Sequence, residues 1–370
     1  MSIGTGSLPL SIGIISKCME QKKGRIEWLD AMRGFTMLLV VSYHVAQMSY
    51  GVNIKASASL PFLVLFRMPL FFFVSGFVAY KSSFVWSAGN TLSLYFKKLK
   101  VQVIPALVFL CIFIVLRRNH FDTAFLSAMR SSTKSGYWFT WVLLQMFTVY
   151  YAFSFCVQRL PRRVQDGAVV ALWLLSIVPY ELCYLPDVLN VNKSEFLRAS
   201  SLVETMRFMH FFLLGNIVHR YWQGCQKVMD SVWFFLAVSC VAFLSCADIF
   251  HWHLFKSVWT NLPRTLAMYS LVSIVVSFFR YYQHWFTENC ATGRALQYVG
   301  KRTLDVYLLH FILLPALPVV GRWLDVAHPG FLVELVVTLV PASVVICFCL
   351  LISNVLRISP FYRLYLFGRK

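Results

Sequence analysis

Long apolar stretches alternate with short polar ones along the whole chain, and this alternation predicts helices that cross a bilayer. Ten such spans are expected, at 31–50, 60–80, 96–116, 138–156, 168–185, 206–222, 232–250, 260–279, 300–321 and 331–356. Pro105, Pro179 and Pro315 fall inside them, which a membrane bundle tolerates because neighbouring helices satisfy the freed backbone groups. No internal repeat or low-complexity tract interrupts the pattern. The expected fold is all-α: a polytopic membrane helix bundle of about ten transmembrane helices, forming one domain over 25–370 behind a tail at 1–24. The apolar stretch from Leu8 to Ile15 is too short for a span and has no positively charged lead, so it reads as tail, with Met19 as an alternative start.

Composition agrees with the pattern. Of 370 residues 59% are hydrophobic and only 13% charged, about half the roughly 25% that a soluble surface uses. The net charge of +19 is distributed by side rather than gathered in a patch. With the N-terminus inside, the inner segments hold more than twice as many lysines and arginines as the outer ones, which places both termini in the cytoplasm. The segment 117–137 dissents with Arg117, Arg118, Arg130 and Lys134. The charge is thus a rim facing anionic lipid, and nucleic acid is excluded as a partner. The ten cysteines are scattered, mostly within apolar runs, and none has zinc-like spacing with nearby histidines, so no metal or disulfide role is expected.

The first span carries three ionisable residues, Asp30, Arg33 and His44. Arg33 and His44 are eleven positions apart, which leaves a net rotation of about 20° and an axial separation of about 16 Å. They share a face, and Asp30 lies one turn below Arg33, where it can pair with it. The plainer alternative is a packed histidine with Arg33 snorkelling to the headgroups. In the second span, Ser75-Gly76 reads best as a notch for close helix approach, and Arg67 lies in its outer half. Lys97, Lys98 and Lys100 form an inner-surface patch, either an anchor or a phosphate site. In the ninth span His310 lies about 15 Å deep and His44 about 20 Å, so both can face one cavity, with Tyr307 one turn below His310. Arg207, His210, Glu181 and Asp248 lie near the outer surface, each as an ordinary interfacial residue.

The spacing of Arg33 and His44 within Leu29-Asp30-x-x-Arg33-Gly34, followed by Val40-Val41-x-x-His44, resembles acyltransferase family 3 of membrane O-acyltransferases. So do Pro69-Leu-Phe-Phe-Phe-Val-Ser75-Gly76-Phe77, Trp138-Phe139, Phe211-Phe-Leu-Leu-Gly215 and Gly300-Lys-Arg-Thr-Leu-Asp-Val-Tyr307-Leu-Leu-His310, in the same order over nearly the whole chain. Two features depart from the family. Lys97, Lys98 and Lys100 stand where it is often arginine-rich, which keeps the point charge and loses bidentate geometry. No esterase-like domain is fused, so a stand-alone version is expected.

The resemblance implies transfer of an acyl group, usually acetyl, from cytoplasmic acyl-CoA to a hydroxyl of a sugar or glycan outside a multi-pass inner (plasma) membrane protein. Acyl-CoA (acetyl-CoA) is then a donor substrate, not a bound cofactor, and the bilayer and a carbohydrate acceptor are the partners. Asp30, Arg33, Lys97, Lys98 and Lys100 are the residues expected to hold CoA. His44 is the expected general base, with His310 beside it and Ser75 or Tyr307 donating to the oxyanion. A covalent acyl-histidine is the competing mechanism. Two other classes stay open: a transporter or flippase of a polysaccharide or lipid-linked sugar, for which an inverted repeat is the expected mark, and a partner-binding scaffold, which has no reason to carry intramembrane Arg33 and His44. Oligomeric state is not set by the pattern.

Overall fold

The computed structural model describes residues 26–54, 57–117, 120–182, 194–254 and 261–367. The 1–24 tail, with its alternative start, lies outside them. The described residues contain helices and no strand. In chain order these are α1 Glu27–His44, α2 Leu60–Ala79, α3 Ala88–Lys98, α4 Ile104–Arg117, α5 Phe121–Arg130, α6 Trp138–Val157, α7 Arg162–Leu182, α8 Glu195–Ala199, α9 Leu202–Arg220, α10 Trp222–Met229, α11 Val232–Ala247, α12 Leu262–Tyr281, α13 Ala291–Lys301, α14 Thr303–Leu313, α15 Pro318–Ala327, α16 Phe331–Leu356 and α17 Pro360–Phe367. π-helical turns follow α1, α3 and α11. The protein is a multi-pass membrane helix bundle. Among the described residues six helical stretches are long and apolar enough to cross a bilayer: 60–79, 88–117, 138–157, 232–252, 262–281 and 331–356. A seventh is added if the bent pair α14 and α15 counts as one. Helices also occupy the remaining apolar stretches, but α1, α7 and α9 are not apolar enough to join that group.

Two glycine-mediated crossings hold the centre. A Cβ on Gly34 of α1 would meet Leu296 O at 2.0 Å, and one on Gly300 of α13 would meet Asp30 O at 1.8 Å. Gly76 of α2 and Gly215 of α9 stand in the same reciprocal relation to Phe212 O and Phe73 O. Each pair lets two backbones touch where any side chain would separate them. Ser75-Gly76 is therefore the packing notch the sequence suggests.

The span expected at 300–321 is not one helix. Lys301 ends α13, the chain turns at Arg302, and α14 runs only from Thr303 to Leu313 before the chain bends by 90° into α15. The cause is local. Leu314 precedes Pro315 and is extended (φ −61°, ψ 119°), as a residue before proline is driven to be. The exposed backbone is satisfied elsewhere: Arg117 Nη2 donates to Leu314 O at 3.1 Å, and Leu317 N donates to Ser49 O at 2.8 Å. Likewise the span expected at 96–116 begins earlier, in α3, and passes through a π-helical turn at Leu99–Val103 before Pro105.

Glu334, buried in the first turn of α16, pins the entry to α2. It accepts from Ser59 Oγ and Ala58 N, both at 2.8 Å, and from Ser57 Oγ. A second pinned segment precedes α6, where Lys134, Ser135 and Gly136 are successive left-handed residues (φ 46°, 52° and 103°). Lys134 is buried and donates to the carbonyls of Met129, Ser131 and Ala199. Burial pushes its ammonium below the ordinary lysine range.

Candidate active site

A cleft of about 540 Å³ opens between α1, α2, α6 and the α13–α14 junction. Five cations line it: Arg33, Lys98, Lys301, Arg302 and Arg357. Each is held by a partner. Arg33 Nη1 lies 3.5 Å from Asp30 Oδ1, the one-turn pair that helical spacing predicts. Lys98 Nζ stands 3.9 Å over the Phe147 ring. Lys301 Nζ is 2.6 Å from Glu288. Arg302 donates to Asn354 Oδ1. Arg357 Nη2 is 2.7 Å from the buried Asp305, which also accepts from Ser353 Oγ at 2.7 Å. Gln102 and Thr140 also line this space. The cluster has the makings of an anion site with neutral polar groups beside it. Lys97 and Lys100 do not line it; both side chains are exposed.

Beyond the cleft lies a chamber of about 40 Å³ lined by Met37, Val40, His44, Arg67, Met68, Gly136 and Trp138. Phe71, Phe139 and Tyr307 line both spaces. The polar stripe of α1 therefore touches two compartments that share three aromatic residues in their walls, with Arg33 in the wide one and His44 in the narrow one.

His44 ends α1, immediately before the π-helical turn Val45–Ser49, a kind of irregularity often found at functional sites. Its ring lies 5.3 Å from that of His310, centroid to centroid, and 4.8 Å from that of Phe311. The two histidines that helical rise places at similar depth are thus neighbours. His310 is fully buried, and its Nδ1 lies 3.1 Å from Val306 O and 2.8 Å from Tyr307 O. Carbonyls only accept, so Nδ1 carries the proton and Nε2 the lone pair. That Nε2, and Nδ1 of His44, are buried without hydrogen-bond partners.

The two hydroxyls expected near the oxyanion are engaged. Tyr307 donates to Gly136 O at 3.1 Å and accepts from Phe139 N at 3.2 Å. Ser75 lines the cleft and donates to Phe71 O at 2.9 Å. Arg67, which the sequence places only roughly, lies in the chamber wall. Lys301, Arg302 and Arg357 are the cleft residues that sequence reasoning missed. Their one signal is an expected shared membrane side with Arg33; the α1–α13 crossing brings Lys301 and Arg302 close to it, and the Asp305 pair holds Arg357 there. Among the described residues no group of histidine, cysteine, aspartate or glutamate is placed to hold a metal ion.

A multi-pass helical membrane bundle with a cation-lined cleft beside a small chamber at His44 is the class that the fold and the site define. The family follows from the sequence match: residues 26–354 fit the model of acyltransferase family 3, described as an acyltransferase domain, and the chain belongs to that family. No curated protein and no solved structure matches it.

Proposed function

We propose that this membrane acyltransferase moves an acetyl group from cytoplasmic acetyl-CoA to a hydroxyl of a cell-surface sugar or glycan precursor. The observation that carries the reading is that the five-cation cleft and the chamber at His44 share Phe71, Phe139 and Tyr307 in their walls. The phosphates of CoA suit the cations, the thin pantetheine arm suits passage between aromatic rings, and the thioester then lies in the chamber. In this reading about ten helices span the inner (plasma) membrane, both termini face the cytoplasm, and the cleft opens on that side.

The chemistry follows from the imidazoles. The acceptor hydroxyl attacks the thioester carbonyl while His44 takes its proton. The tetrahedral intermediate collapses to the ester, and the imidazolium returns the proton to the departing CoA thiolate. His310 acts as a positioning residue. Its Nε2 lone pair is the acceptor available to an Nδ1–H on His44, and a proton there leaves the lone pair of His44 Nε2 free to act as base.

Purified protein in detergent, given radiolabelled acetyl-CoA and glycan acceptors, tests the reading. Acetyl transfer by wild type and its loss in His44→Ala with an unchanged melting temperature are expected. Failure of wild type to consume acetyl-CoA in the presence of any glycan fraction that it acetylates in cells, or full activity of His44→Ala, refutes it.

A further inference from the structure

Arg67 has no role in the chemistry as written above, yet its position is costly. It lies mid-way along α2, two residues before Pro69, and is only 9% exposed. A charge at that depth is unfavourable unless it is paired or faces a polar space. Among the described residues no carboxylate forms an ion pair with it. Its guanidinium carbon instead sits 3.6 Å from the centroid of the Tyr43 ring, and the side chain shares a hydrogen bond with that tyrosine, contacts that support a cation without neutralising it. Its Nε is buried with no hydrogen-bond partner. The other buried cation described above, Lys134, spends its ammonium protons on three carbonyls. Arg67 does not.

The space it faces limits what it can serve. Arg67 and His44 line the same chamber of about 40 Å³, room for a few waters at roughly 10–15 Å³ each. An acetyl carbonyl fits there; a phosphate-bearing head group or a sugar ring does not. The anion to be met in this chamber is therefore one that forms there. In transfer from a thioester that anion is the oxygen of the tetrahedral intermediate, which becomes negative as the acceptor oxygen bonds to carbon and loses it again when the C–S bond breaks. The hydroxyls nearest the junction are occupied, Tyr307 with Gly136 O and Ser75 with Phe71 O. Arg67 is the cation that lines the chamber, and its Nε is unpartnered.

We infer that Arg67 is a catalytic residue, the electrophile whose guanidinium stabilises the oxyanion opposite His44. The inference rests on the acetyl-transfer reading and adds a group to it. A fixed donor aimed at a charge that develops only during reaction lowers the barrier without tightening substrate binding.

The test compares wild type, Arg67→Gln, Arg67→Lys and Arg67→Ala, purified in detergent with labelled acetyl-CoA and the acceptor that wild type uses. Removal of one such donor lowers kcat by about 10²–10³-fold. That loss is expected in the Gln and Ala variants, with KM for both substrates within a few-fold. Lysine keeps the charge but not the planar donors, so Arg67→Lys is expected to lose at least about tenfold in kcat. Millimolar guanidinium, which does not unfold the protein, is expected to restore part of the activity of Arg67→Ala and to leave that of His44→Ala unchanged. Wild-type kcat in Arg67→Gln overturns the inference, as does a loss confined to KM of the acceptor, which marks a binding role. If the Gln and Ala variants do not fold, wild-type kcat in Arg67→Lys overturns it. Absence of any transfer by wild type removes the acetyl-transfer reading itself, an outcome distinct from all of these.

Discussion

The cleft and the chamber are adjacent, and they treat charge in opposite ways. In the cleft every cation has a fixed companion: Asp30 for Arg33, the Phe147 ring for Lys98, Glu288 for Lys301, Asn354 for Arg302 and Asp305 for Arg357. At the chamber His44 Nδ1 and Arg67 Nε are buried without hydrogen-bond partners, as is Nε2 of His310, whose ring lies beside that of His44. Companions hold a cation in place before a ligand arrives, which favours binding. Unsatisfied groups are costly at rest and gain their partners only when something else enters, which favours reaction. The same few side chains, Phe71, Phe139 and Tyr307, mark where one regime gives way to the other.

The contrast can be broken by mutation, and its two halves should fail differently. His44→Ala is expected to show the largest effect, a fall in kcat of about 10²–10⁴-fold, the usual contribution of a positioned base; steady-state kinetics on folded protein would measure it, and a change in KM alone would erase the distinction between the regions. Arg357→Gln is expected to act on binding, raising KM for acetyl-CoA about ten- to a hundredfold, since a hydrogen bond to a charged group contributes about 1.5–3 kcal/mol. Asp305→Asn should follow in the same direction and more weakly, because it loosens Arg357 without removing it. Raising ionic strength should weaken acetyl-CoA binding while leaving kcat at saturation nearly constant. The smallest effect is expected at Lys97→Gln and Lys100→Gln, whose exposed side chains stand outside the cleft; a twofold change in KM is the upper bound, and a larger one would redraw the cleft.

Some of this arrangement is legible in the sequence. The pairing of Asp30 with Arg33 and the meeting of His44 with His310 follow from helical rise and rotation, because both depend on one regular element at a time or on depth alone. Lys98 is legible as part of a basic run after the second apolar stretch. The arrival of Lys301 and Arg302 beside Arg33 is not, since it depends on Gly34 and Gly300 letting α1 and α13 touch, and that of Arg357 depends on its pairing with Asp305 of α14. The bend after Leu313 is masked because α14 and α15 are both apolar, so hydropathy runs on through Pro315 where the backbone does not. Glu334 gives no local sign that it will cap a segment some 275 positions earlier in the chain. The direction of Arg67 is equally silent, because a helix can present a residue at mid-span to lipid or to its own interior.

The left-handed turn at Lys134–Gly136 has a mechanical consequence. A methyl group on Gly136 would strike the Phe311 ring at 2.3 Å, and that ring rests against both imidazoles, 4.8 Å from His44 and 3.9 Å from His310. The same glycine's carbonyl tethers Tyr307. A loop that takes no part in the bundle thus sets the tolerance of its most sensitive gap, much as a shim sets the clearance of a bearing. Adding one carbon to that shim would be felt first in the aim of the histidines.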